Sequence, residues 1–229
     1  MISSTPPLVE MHIFGVTSIP AAFGRVAAAG RGLRSVPGLR FAKVLGTGSG
    51  RSFTMRDADL RHWAVLTVWD DTATPCDYLH RWHEAADEHL TVAMRPLAAR
   101  GHWSRREPFG VVGPAGRSSK HAGPVAAITR ARLRTKTMLS FWRAVPPVAE
   151  TLARSPGVRL ALGIGESPVG LQGTFSLWND AQALTDFAYR SPAHRSAIRR
   201  TATEQWYTEE LFARFHIESV AGTYRGVTP

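Results

Sequence analysis

Cysteine is almost missing from this 229-residue chain. The single thiol, Cys76, excludes an intramolecular disulfide and any cysteine-built zinc cluster. Lysine is nearly as scarce, at Lys43, Lys120 and Lys136 only, so arginine carries most of a formal net charge of +10. No run of 18 apolar residues occurs, which excludes a helix that spans a bilayer. The opening "MISSTPPLVEMHIFGV" has neither a basic leader nor a long apolar stretch and does not read as a signal peptide. These features predict a soluble, cytoplasmic protein. No P-loop, dinucleotide fingerprint, nucleophile elbow or HExxH is present. The side chains alone therefore offer little chemistry, and an enzyme built from them needs a cofactor.

The hydrophobic fraction is 44% and the charged fraction 20%, a globular composition with enough apolar mass for a real core. The basic excess favours an anionic partner: a ligand with carboxylates, an anionic membrane touched peripherally, or nucleic acid. No helix-turn-helix, zinc finger or RNP-like motif accompanies the charge, so no specific nucleic-acid binding is predicted. Arginine also has a second reading, as the polar residue that a GC-rich coding sequence supplies.

The chain repeats itself. Pro37-Gly38-Leu39-Arg40-Phe41-Ala42 aligns with Pro156-Gly157-Val158-Arg159-Leu160-Ala161, and Gly46 meets Gly165. "WAVLTVWDD" (63–71) resembles "QGTFSLWND" (172–180), and "ARGHWS" (99–104) echoes "ARFHIES" (213–219). The last match places His102 and His216 at equivalent strand starts. Each half reads strand, helix, Pro-Gly turn, hairpin ending at a tryptophan, helix, strand. In the first half the second helix is predicted over 71–90. In the second it is "NDAQALTDFAYR" followed by "SPAHRSAIRRT". The order βαββαβ is the ferredoxin-like unit, whose open sheet face must be buried. The predicted fold is α+β: two ferredoxin-like units, 1–108 and 125–229, closing an α/β barrel in one chain. Residues 109–124, rich in Gly, Ser and Pro, are the predicted linker; the fused repeat completes a barrel in one chain and leaves open whether a homodimer forms in addition.

Among nine histidines, His80 and His83 have the spacing to share a metal on a helix, with no third ligand evident in the sequence. His194 differs. It follows the Ser191-Pro192 break behind the apolar turn "ALTDFAY", with Arg195, Arg199 and Arg200 just beyond. An imidazole beside apolar walls and arginines suits haem: iron takes the ring, the macrocycle takes the walls, and guanidinium groups pair with propionates. Arg130, Arg132 and Arg134 alternate along a strand and so share a face, as a propionate clamp or as a solvent-facing edge. Trp142 and Phe187, with Phe141, Phe175 and Trp178, are candidate pocket walls. Cys76 reads as a buried residue rather than a thiolate ligand. "GTGSG" (46–50) and "GIGESPVG" (163–170) read as tight loops.

The blocks "FWRAVPPVAETLARSPGVRLALGIGESPVGLQGTFSLWND", "FAYRSPAHRSAIRRT" and "WYTEELFARFHI" resemble spheroidene monooxygenases, over most of residues 125–220. The first half is similar to that family in "HIFGVTSIP", "VPGLRFAKVLGTG" and "LTVWDD". The resemblance implies a tandem ferredoxin-like barrel carrying haem b, which inserts oxygen from O2 into an acyclic carotenoid. It therefore implies an apolar substrate, O2 and an electron donor as partners. His194 is the histidine inside the most diagnostic block and the candidate iron ligand. Two alternatives stand beside this reading: a haem enzyme of the same scaffold doing dehydration, isomerisation or N–N or N–O bond formation, and a haem-binding module without catalysis.

Overall fold

The computed structural model describes residues 6–48, 57–110, 123–167 and 171–229. Most of the predicted linker, the end of "GTGSG" and residues 168–170 lie outside them. The first half contributes β1 (Leu8–Val16), α1 (Ile19–Gly32), β2 (Leu39–Gly48), β3 (Ala58–Trp69), α2 (Asp77–His83) and β4 (Ala86–Gly101). The second contributes β5 (Val125–Leu133), α3 (Met138–Ala153), β6 (Val158–Ser167), β7 (Leu171–Trp178), α4 (Ala181–Arg190), α5 (Pro192–Glu204) and β8 (Tyr207–Gly222).

The strands close a barrel in the order β1-β3-β2-β6-β7-β5-β8-β4. Within each half the order is that of a ferredoxin-like sheet, and every strand pairing is antiparallel. The units join twice, along the long β4–β8 ladder and at the short β2–β6 seam. At that seam the repeat-equivalent glycines Gly46 and Gly165 are direct partners. Period-2 alternation explains the interior: Val9, Met11 and Ile13 point inward from β1, as Leu211, Ala213, Phe215 and Ile217 do from β8. Closure buries what an isolated ferredoxin-like unit would expose.

The two-fold repeat extends to single hydrogen bonds. Trp69 Nε1 donates to Thr67 Oγ1 at 3.0 Å, and Trp178 Nε1 donates to Ser176 Oγ at 2.9 Å. The Asp70 amide donates to the Gly38 carbonyl and the Asn179 amide to the Gly157 carbonyl, both at 2.8 Å. The units also cap each other. Glu209 accepts from the Ser104 and Arg105 amides, and Glu88 accepts from the Arg225 and Gly226 amides. Gly101 and Gly222, at φ +90° and +92°, end their strands where a Cβ would strike the carbonyls of Glu210 and His89.

Three sequence expectations change here. The helix predicted over 71–90 stops at His83, because Leu90, Val92 and Met94 alternate into the barrel and strand burial prevails over the helical reading. His102 and His216 are not equivalent: Gly101 matches Gly222, so His102 matches Thr223, while His216 lies within β8. Phe109, assigned to the linker, is buried in the barrel core edge-on to Phe215.

The outer layers of the two units differ. Over the first sheet, Phe14, Trp63, Trp69, Tyr78, Leu79 and Trp82 fill the space beneath α1 and α2. Strand register makes Ala127, Thr129 and Ala131 of β5 the counterparts of Glu10, His12 and Phe14 of β1. Smaller side chains thus stand where the first unit has bulk, and the second helical layer stands off its sheet.

Candidate active site

The site grows from the Ser191-Pro192 break. In an uninterrupted helix the Ala188 carbonyl would accept from the amide of residue 192, but proline has no N–H. The chain turns instead, Ser191 caps α5 by accepting from the His194 amide at 3.3 Å, and Pro192 takes the first helical position. The orphaned Ala188 carbonyl then lies 2.7 Å from His194 Nδ1. A carbonyl only accepts, so Nδ1 carries the proton and Nε2 of the neutral ring carries the lone pair. Burial pushes the His194 pKa below the usual imidazole value, and the bond to Ala188 restores only part of the shift. The result is a neutral imidazole whose tautomer and tilt are set by a backbone carbonyl, the arrangement that metal-ligating histidines commonly show.

His194 lines a cavity of about 1350 Å³ between the second sheet and α3, α4 and α5. Thr129 and Ala131 of β5, Thr174 and Ser176 of β7 and Phe212 of β8 contribute to its sheet side. From α3 come Phe141, Val145, Val148 and Leu152, at helical spacing on one face. Phe187 lies beside His194, with ring centroids 4.9 Å apart, and continues to Trp178 at 5.5 Å. The cavity also crosses the β2–β6 seam, where Gly46, Gly48, Gly163 and Gly165 pave it. A Cβ built on Gly46 meets only one backbone oxygen, at 3.8 Å, so the glycine leaves open surface. Phe23, Leu60, Tyr189 and Ile198 line the cavity and are also exposed, which gives its opening an apolar border drawn from both units.

The helices over the cavity are tied at one end. Arg200 donates to Glu204 and to Ser140, and Trp206 Nε1 donates to Glu204 at 3.0 Å, linking α3 to the end of α5. The Ser140 hydroxyl and the Arg200 guanidinium hold the Glu204 carboxyl down to about 2. Tyr207, another cavity residue, has its phenol pKa raised by burial and keeps its proton at neutral pH.

The arginine clamp does not form as the sequence suggests. Arg130 is 3% exposed on the inward face of β5, paired with Glu166 and Glu209. Arg132 shares that inward-facing parity and lines a separate cleft with Arg105 and Glu209. Arg132 does not line the His194 cavity; Arg130 does, with its guanidinium engaged by the two carboxylates. Arg134 does line the cavity, as do Arg100 and Arg214, which the sequence reading passed over. Arg214 was legible in principle, since strand parity places it opposite the inward residues Ala213 and Phe215. Arg195 is exposed and lies off the cavity-facing positions 194, 197, 198 and 201. Trp142 likewise turns away from the wall formed by Phe141 and Val145, against which it only abuts at Phe141. Phe175 belongs to the barrel core. His80 and His83 do not pair: His80 Nε2 lies 3.3 Å from Glu84. Cys76 is buried in the first helical layer.

Among the described residues no helix is long and apolar enough to cross a membrane. Two ferredoxin-like units closing one barrel, with a histidine-bearing cavity over the second sheet, define a tandem α/β barrel.

No protein-family model matches the chain. A spheroidene monooxygenase of Rhodobacter capsulatus is 33% identical over 232 residues, covering 97% of this chain and 95% of that protein. One from Cereibacter sphaeroides is 34% identical over 213 residues, covering 90% of this chain but 64% of that longer protein. The chain belongs to the spheroidene monooxygenase family. Among solved structures, an aldoxime dehydratase superposes with a TM-score of 0.55 at 11% identity, covering 94% of this chain and 82% of that one. A second, in complex with butyraldoxime, gives 0.54 at 12% identity, covering 94% and 80%. At such identity the likeness concerns the fold.

Proposed function

We propose that the chain is a haem-dependent monooxygenase acting on an elongated apolar substrate of the acyclic carotenoid class. The observation that carries this reading is His194: a neutral imidazole at the cavity wall, with Nδ1–H committed to the Ala188 carbonyl and the lone pair left on Nε2. Family membership supports the oxygenase class and the apolar substrate.

The residues fit haem b. His194 Nε2 would hold the iron, Phe187 would pack beside the ligating ring, and Arg134 is a cavity-lining cation to pair with a propionate. When bound, haem supplies reductive activation of O2, with electrons from an external donor. The chain's own residues do the rest. Ala188 fixes the tautomer of His194. Val145, Val148, Leu152 and Ile198 exclude water from an apolar chain, and the glycine-paved seam leaves it room to extend towards Phe23 and Leu60. Haem and substrate together call for a cavity above the usual range of about 300–1,000 Å³, and this one, at about 1350 Å³, is.

The test is an absorption spectrum of the haem-reconstituted chain beside His194→Ala, with free imidazole added back to the variant. A Soret band that is lost or shifted in the variant and recovers with imidazole is expected. An unchanged spectrum in His194→Ala would overturn the ligand assignment. Turnover without O2 or reductant would overturn the oxygenase reading and favour dehydration-type chemistry in the same site.

A further inference from the structure

On the first sheet, the pseudo-symmetric counterpart of the cavity floor holds three histidines. His12 of β1, His83 at the end of α2 and His89 of β4 each present a ring nitrogen, and these atoms lie within 4.8 Å of one another. His83 and His89 are near in sequence, while His12 is remote, and barrel register brings it to them: His12 pairs with Thr91, and Phe14 with His89, along the β1–β4 ladder. Alternation then places His12, Phe14, His89 and Thr91 on the sheet face that α2 covers. Their counterparts in the second unit are Thr129, Ala131, Glu210 and Phe212, all cavity-lining residues.

We propose that His12, His83 and His89 form a binding site for one divalent transition-metal ion of the zinc class, separate from the His194 cavity, which clips α2 onto the first sheet.

Three observations support it. His12 is 5% exposed, and its buried Nε2 makes no hydrogen bond among the described residues. That nitrogen lies 3.4 Å from the Glu10 carboxylate, out of hydrogen-bond alignment. Second, the Thr91 hydroxyl bridges His12 Nδ1 at 3.1 Å and His89 Nε2 at 2.7 Å, which orients both rings towards one point on the sheet. Third, the rings are packed rather than splayed: His83 stands edge-on to His89 at 4.4 Å, and Phe14 backs all three imidazoles. Partial desolvation and then neighbouring imidazole charge lower the pKa of His83 and of His89, which favours the neutral, ligand-competent ring.

Donors around zinc sit at about 2.0–2.1 Å from the metal, so the nitrogens must draw together by up to about 1.5 Å. His83 is exposed and has room to make that movement. Its exposure also leaves solvent to complete the coordination sphere. The set contains three imidazoles and no thiolate, which suits zinc, cobalt, nickel or copper over magnesium or calcium.

The test uses Co2+ as a spectroscopic probe on the untagged, haem-free chain. A visible ligand-field band saturating at one equivalent is expected, displaced by Zn2+, with a Zn2+-dependent rise in unfolding midpoint. His83→Ala, at an exposed position that leaves the fold intact, is expected to weaken Co2+ binding at least tenfold and to abolish the Zn2+-dependent rise. His80→Ala and His194→Ala are expected to bind as the parent does. No stoichiometric band, a band retained in His83→Ala, or one lost in His194→Ala each overturns the assignment. Because His194→Ala separates the two sites, failure here leaves the haem reading untouched.

Discussion

His194 Nδ1 donates to the carbonyl of Ala188 across the break between α4 and α5, at 2.7 Å. The bond exists because Pro192 cannot supply the amide that would otherwise take that carbonyl. Pro192→Ala is therefore expected to extend α4, reclaim the Ala188 carbonyl and leave His194 without its orienting partner. Loss of such a partner costs about 10–100-fold in metal affinity. Haem titration followed in the Soret region checks it, and unaltered affinity would show that the carbonyl does not set the ring.

Filling the cavity from within the repeat is a second test. Ala131 is the register counterpart of Phe14, a fully buried residue of the first helical layer. Ala131→Phe places that bulk on the cavity floor. Haem and substrate binding are expected to collapse while the unfolding midpoint stays level or rises, because the new ring fills space rather than displacing core. A fall in stability with binding preserved would place residue 131 elsewhere.

Arg130 makes a contrasting prediction. It is buried between Glu166 and Glu209, and Lys43 also holds Glu166. Arg130→Met strands the carboxylates and is expected to destabilise the fold by about 3–5 kcal/mol. Haem affinity of the folded fraction should be unchanged, since the guanidinium is already committed to the two carboxylates. Denaturant unfolding and haem titration on the same preparation separate the two effects.

Acid sensitivity follows from the histidines. Burial lowers the folded-state pKa of His194, His83 and His89 beneath the value of about 6.5 expected in the unfolded chain. Between the folded and unfolded values the unfolded chain binds more protons, so stability rises with pH there and levels off above about 7. The urea midpoint of the haem- and metal-free chain is expected to fall from pH 7.5 to pH 5.5. His194→Gln should flatten part of that slope. An equal slope in the variant would mean that His194 does not titrate with unfolding.

The sequence by itself determined the architecture. The Pro37-Gly38 and Pro156-Gly157 repeats, the two tryptophans Trp69 and Trp178 and the alternation along each strand specify two βαββαβ units, since periods of 2 and 3.6 and turn chemistry are local properties. The Ser191-Pro192 break that positions His194 was legible for the same reason. Facing was not. Arg130, Arg132 and Arg134 share a strand parity, yet parity alone does not say which face meets the barrel interior, and Arg130 meets two carboxylates there. Helix phase decided against Trp142 and Arg195 in the same way. Tertiary structure alone set Ala131 opposite the role of Phe14, opening one unit where the other is filled, and brought His12, His83 and His89 together. Those relations depend on strand register across a closed barrel, which joins residues that no local pattern connects.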